Sequence, residues 1–337
     1  LRTAIVGLGW WGQELIRRLQ SSELIQVVSG FDVEPEKVAE FLQDYKVPLA
    51  DSYESVLADP AVDAVILTTP NGFHEQQLLQ AVAAGKQVFC EKPLTLTGAG
   101  ARRMISACDQ KGLVLGIGHE RRFDGSLVEL KRRVDEGELG TLLHLEFNAS
   151  YNLFMGQKQR GWRYDPKQAP AGMMTGLGVH MTDYMQTLAG PVRELIAHSA
   201  HRSPDYASDD ILSVHFTFES GATATFTTLA TTPFYQRLSV FGDRGWAEMR
   251  EVSNVDKFDP AVLTWRGMDE EIHTQTFKWR DTVVQNLHEW AGAVLNGQSY
   301  RFTMQEILHN VEILEAIVIS IETGESCTVG VCAISMD

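Results

Sequence analysis

The stretch TAIVGLGWWGQELIRRLQ, Thr3–Gln20, constrains the fold more than any other part of the chain. A short apolar run enters a Gly-x-Gly-x-x-Gly turn at Gly7, Gly9 and Gly12, and a helix-like pattern leaves it. Strand, glycine turn and helix in that order suit a dinucleotide pyrophosphate. Gly7 permits the tight turn, Gly9 lets the backbone approach the phosphates, and Gly12 lets the helix pack on the sheet, while N–H groups at the helix start face the anion. Asp32 stands twenty residues beyond the last glycine. Its carboxylate can accept bonds from ribose hydroxyls and would repel a 2′-phosphate, which favours NAD and leaves NADP possible. The alternative is that Asp32 merely starts a helix ahead of Pro35. Trp10 and Trp11 fill the two variable positions of the turn, where an indole face can wall a nicotinamide or substrate ring or pack against a second domain.

The strand-like run repeats. TAIVG, IQVVSGFD, DAVILTT, KQVFCE and LVLGIGH alternate with helical segments such as PEKVAEFLQDYK and FHEQQLLQAVAAG. Runs apolar on both faces, spaced by roughly 20–25 residues, predict a parallel sheet with crossover helices. The fold class is therefore α/β at the N-terminus, a Rossmann dinucleotide-binding domain over residues 1–122. Ligands of such sheets sit at the carboxyl ends of the strands. There the sequence places Thr69, Pro70, Asn71 and His74 after one strand, and Glu91, Lys92 and Pro93 after the next. From about Asp124 the pattern changes to runs such as LSVHFTFE that alternate strictly, with ESGA as a hairpin turn. This predicts an α+β domain over 123–337, with an open, largely antiparallel sheet and helices near 282–296 and 304–323.

The composition narrows the partners. Among 337 residues, 44% are hydrophobic and 22% charged, and the net charge is -15. Such acidity argues against a general nucleic-acid binder and against an anionic membrane surface, leaving small molecules. The four cysteines (Cys90, Cys108, Cys327, Cys332) show neither metal nor redox spacing and read as reduced thiols. No apolar run reaches membrane-spanning length. Strand sequence begins at once and leaves no room for a signal peptide, so a cytoplasmic location is expected.

Two residues carry the expected chemistry. Lys92, at a strand end beside a carboxylate, can polarise a reacting oxygen or relay a proton if burial lowers its pKa. His180 lies in TGLGVHMTDYMQTLAG, Thr175–Gly190, a predicted amphipathic helix carrying His180, Asp183 and Tyr184 on adjacent positions. An imidazole titrating near neutrality can serve as acid–base group or hydroxyl ligand. Met173, Met174, Met181 and Met185 crowd the same segment, as core filling or as an adaptable apolar wall.

Taken together, GLGWWG, TTPNGFH, EKP, GHERRF and GMMTGLGVHMTD resemble the Gfo/Idh/MocA oxidoreductase family across nearly the whole chain. The resemblance implies an NAD(P)-dependent dehydrogenase or reductase of sugars, inositols, glycosides or related cyclic alcohols. It also implies a homo-oligomer, dimer or tetramer, through the C-terminal sheet. Lys92 and His180 would act in catalysis, and Thr69, Pro70 and Asn71 would line the cofactor with His74 in the same loop. Asp183 would orient the helix. Trp162, Arg163, Tyr164, Thr175 and Asp183 are candidate substrate contacts, and Arg121 and Arg122 could reach cofactor or carboxylates or serve as structural contacts. Many dehydrogenases of this family carry an aspartate four residues before the histidine, where this chain has Gly176. Tyr151, Tyr164, Asp165 and Thr175 are available replacements. The departure leaves room for a bulkier substrate, with a dihydrodiol dehydrogenase, a non-catalytic NAD-binding sensor and an NAD-dependent glycoside hydrolase as the other readings.

Overall fold

The computed structural model describes residues 1–152, 161–204, 209–255 and 257–331. In chain order the first elements are β1 (Arg2–Val6), α1 (Trp10–Leu19), β2 (Gln26–Phe31), α2 (Pro35–Asp44), α3 (Tyr53–Ala58), β3 (Ala64–Leu67), α4 (His74–Ala83), β4 (Gln87–Cys90), α5 (Gly98–Lys111) and β5 (Leu115–Ile117). Then come α6 (Gly125–Asp135), β6 (Leu142–Ser150), α7 (Val179–Ala189), β7 (Val192–Ala200), β8 (Ile211–Phe218), β9 (Thr223–Leu229), β10 (Tyr235–Gly242), β11 (Trp246–Glu251), β12 (Ala261–Arg266) and β13 (Ile272–Phe277). The chain closes with α8 (Thr282–Asn296), α9 (Met304–Thr323) and β14 (Cys327–Thr328), the two helices lying where their periodicity predicts.

The chain divides into two compact units, residues 1–119 with 283–308, and residues 120–282 with 309–337. In the first, five parallel strands run in the order β2-β1-β3-β4-β5. Every residue of β3 is fully buried, as a strand covered on both faces requires. Strand order reverses direction between β1 and β3, and the crevice at such a switch point is where doubly wound sheets bind ligands. Helix α8 belongs to this unit although it begins 165 residues after the end of β5, at Thr282 against Ile117. Its Trp290 is fully buried edge-on to Phe89, ring centroids 5.4 Å apart, and Asn286 donates to the Ile117 carbonyl at 2.8 Å. The contact needs a glycine on β5, because a Cβ at Gly116 would stand 2.4 Å from the Phe89 ring and 2.7 Å from Trp290.

The second unit is a nine-stranded sheet in the order β13-β12-β11-β10-β6-β9-β8-β7-β14. All its pairings are antiparallel except β6 with β9. ESGA forms the turn between β8 and β9, with Gly221 at φ 87, where only glycine is unstrained. Leu145, Phe147, Val214, Phe216, Ala224 and Phe226 point to the buried face. Thr223, Thr225, Ser213 and His215 alternate onto the other, which is the polar–apolar division that the strand sequences predict. Among the described residues no helix is long and apolar enough to cross a membrane. Cys90 and Cys108 are buried free thiols, Cys327 is buried, and Cys332 lies outside the described residues. Burial pushes the Cys90 thiol well up, so it is no nucleophile.

Candidate functional site

At the end of β1 the chain turns through Gly7 at φ 93. A Cβ there would strike the Thr69 amide nitrogen at 2.8 Å. One at Gly12 would stand 2.1 Å from the Gly7 carbonyl oxygen, so the glycine lets α1 close on the turn. Gly9 differs, since a Cβ on it would meet nothing within 4 Å. That open room at the start of α1 fits the close approach of a pyrophosphate. Asp32 is held beside it. One carboxylate oxygen accepts the Leu8 N–H at 2.6 Å and the other the Glu34 N–H at 2.9 Å. Each oxygen retains a lone pair for a ribose hydroxyl. The residues therefore fit a dinucleotide.

Three strand ends are tied together around this turn. The Thr68 hydroxyl donates to the Gly7 carbonyl. His74 is fully buried, with Nδ1 2.9 Å from the Pro93 carbonyl oxygen and Nε2 2.9 Å from that of Thr69. It thus bridges the Thr69–Pro70–Asn71 loop to the Glu91–Lys92–Pro93 loop, and burial lowers its pKa. Asn71 is buried at the start of a short 3-10 turn. The Trp11 indole N–H donates to Glu91 Oε1 at 2.8 Å, and Glu91 Oε2 accepts the Lys92 N–H at 3.2 Å. Sequence reading did not anticipate this link. Trp11 packs on the core of the first unit, whereas Trp10, its ring centroid 5.4 Å away, is 60% exposed. The Lys92–Pro93 peptide is cis, and Lys92 is partly exposed at the end of β4.

In the second unit the segment predicted as one helix from Thr175 has two parts. A π-helical turn covers Met174–Gly178, and the α-helix begins at Val179. Wide turns of this kind occur where a helix is re-aimed beside functional residues. His180 follows at once and is buried. Gly176 lies in the wide turn, exposed, with open space where its Cβ would stand. Thr175 and all four methionines of the segment are buried.

Asp183 is committed to Arg122. The guanidinium grips it in a buried two-pronged pair, 2.7 Å from Nε and 2.6 Å from Nη2. Arg121 contacts Glu251 at 3.0 Å and Asn254 at 2.6 Å, and the Tyr184 hydroxyl donates to the Arg121 carbonyl at 3.1 Å. Burial raises the Tyr184 phenol, and it pushes the Glu251 carboxyl up to about 7 even beside that arginine. These contacts lock the turn Glu120–Phe123 against α7 and β11. In that turn the Glu120 carboxylate, a residue sequence reading passed over, lies with Oε1 3.8 Å from His180 Nε2. The signal for it was an acid in GHERRF directly after the last parallel strand.

The other candidates have contacts of their own. The Arg163 guanidinium stacks over the Trp162 ring at 4.4 Å, so these two contact each other, and burial raises the Tyr164 phenol. Asp165 accepts the Lys167 N–H at 3.0 Å, and Tyr151 lies edge-on to Phe234 at 5.3 Å.

Comparison with known proteins agrees with this architecture. Residues 1–119 match the oxidoreductase family with an NAD-binding Rossmann fold, and residues 127–248 match the GFO/IDH/MocA C-terminal domain. The chain is 30% identical over 273 residues to D-xylose 1-dehydrogenase (NADP(+)) 2 of Haloferax volcanii, covering 81% of this chain and 82% of that one. It is 27% identical over 346 residues to scyllo-inositol 2-dehydrogenase (NAD(+)) of Bacillus subtilis, covering 96% and 95%. Among solved structures, the aldose-aldose oxidoreductase of Caulobacter crescentus, complexed with glycerol, superposes with a TM-score of 0.86 at 23% identity, over 98% of this chain and 99% of that one. That likeness is one of fold.

Proposed function

Because this chain belongs to the Gfo/Idh/MocA family of NAD(P)-dependent oxidoreductases, we propose that it interconverts a secondary alcohol and a ketone on a sugar, glycoside or related cyclic polyol. The observation that carries the reading is the room over Gly9 beside an anchored Asp32, on a sheet whose next strand ends bear Lys92 held by Glu91. The bound nicotinamide supplies the hydride acceptor or donor. On the first unit, the Lys92 ammonium stabilises negative charge developing on the reacting oxygen. On the second, the His180 imidazole holds or returns the hydroxyl proton. Asp32 favours the free ribose diol of NAD over a 2′-phosphate. Named relatives that act on xylose and inositol support a polyhydroxylated substrate, and the open space at Gly176 supports a bulky one such as a glycoside. A second copy of the chain is the proposed partner, through the polar face of the nine-stranded sheet.

The test is a screen of the purified chain with NAD and with NADP across sugars, glycosides, inositols and dihydrodiols, following reduced nicotinamide and products. Reduced nicotinamide formed with one polyol class supports the proposal. Free sugar released without it would point to hydrolysis, and tight binding without turnover to a sensor.

A further inference from the structure

The proton step assigned to His180 requires the imidazole to carry a positive charge for part of the cycle, and a buried cation needs a compensating group. Asp183, one turn along the same helix, does not provide it, because Arg122 occupies both of its oxygens. Gly176, on the preceding turn, has no side chain. Facing His180 from the turn after β5 is Glu120, whose carboxylate oxygen lies 3.8 Å from Nε2. The two side chains are only 6% and 4% exposed. At that separation and burial, solvent screens the pair little.

We propose that Glu120 is the positioning acid of His180: its carboxylate holds the imidazole in orientation and stabilises the imidazolium when the substrate proton resides there. The inference rests on the acid–base role proposed for His180. In alcohol oxidation the hydroxyl proton passes to the imidazole, and in ketone reduction it returns. No bond to Glu120 forms or breaks.

Several other ionisable groups on elements packed against α7 have partners of their own. Arg121 is taken by Glu251 and Arg122 by Asp183. On α6, Glu129 pairs with Arg132 and Arg133, and Lys131 with Asp135. On β6, Glu146 pairs with Arg237 and His144 bonds Thr223. From α9, neutral Asn310 donates to the Val179 carbonyl, and His309 lies by Glu312.

The experiment follows the ring signals of histidine-labelled full-length protein against pH by NMR, with His180→Asn identifying the resonance and NAD binding measured alongside. In Glu120→Gln the His180 midpoint falls by about one pH unit, roughly a tenfold loss of proton affinity. Glu120→Asp, with its carboxylate drawn back by one methylene, shifts it less in the same direction. With an active substrate, the acid limb of the kcat/KM profile for alcohol oxidation moves to lower pH by the same amount. An unchanged midpoint in whichever variant folds and binds NAD overturns the proposal. Absence of turnover on every substrate class would overturn the functional reading instead, while the titration would still decide whether the pair exists.

Discussion

Gly9 and Gly12 sit in one turn and do different work, and single methyl groups separate the roles. At Gly12 an added Cβ would lie 2.1 Å from a backbone oxygen that cannot move without opening the turn. Gly12→Ala should therefore lose about 1–3 kcal/mol of stability, the range for forced overpacking. Gly9 has an ordinary φ of -62 and empty space ahead of it. Gly9→Ala should leave stability within about 0.5 kcal/mol. Its methyl group would nevertheless occupy the room argued for the phosphates, so NAD affinity should fall at least about tenfold, a loss of roughly 1.4 kcal/mol. Thermal melts and calorimetric NAD titrations of both variants check this. Equal loss of stability in the two would remove the distinction. These glycines and Asp32 were legible in the sequence because their constraint is local: strand, turn, helix and acid lie within about thirty residues of one another. The Trp11 bond to Glu91 was not, since it joins positions 80 residues apart.

At the scale of elements, long-range pairing decides what pattern alone leaves open. Strand alternation foretold a largely antiparallel sheet, but nothing in β6 or β9 announces that these two run parallel. Periodicity predicted the helix over 282–296, but not that its Trp290 packs on Phe89 in the parallel sheet. The turn between β5 and α6 is the clearest case. Its two arginines are held by Asp183 and Glu251, residues 61 and 130 positions away, and those contacts carry Glu120 to His180. Burial of Glu251 has a consequence for pH. Its carboxyl goes from an ordinary value of 4.5 up to about 7 on folding. The folded state then holds the extra proton between those values, so this group's contribution to stability is complete below about 4.5 and is lost as pH rises through about 7. Relative to Glu251→Gln, the wild-type melting temperature should fall across that window. Parallel curves for the two proteins would show that Glu251 is ionised throughout.

For the whole molecule, family membership, the Rossmann sheet and the glycine turn agree, and the proposed chemistry turns on a few side chains. Glu91, fixed by the Trp11 indole, holds Lys92 at the end of β4, and His74 fixes the same loop from the other side. Such bracing suits a lysine that must meet a reacting oxygen in one position, and it leaves the cofactor turn intact when the lysine is cut back. The measurement that tests this most directly is kcat of Lys92→Ala on the substrate class found in the screen, with NAD affinity titrated on the same preparation. A fall of about 10²–10⁴-fold, the usual worth of a positioned acid–base group, with unchanged NAD affinity is the predicted result. Wild-type kcat in Lys92→Ala would contradict the account.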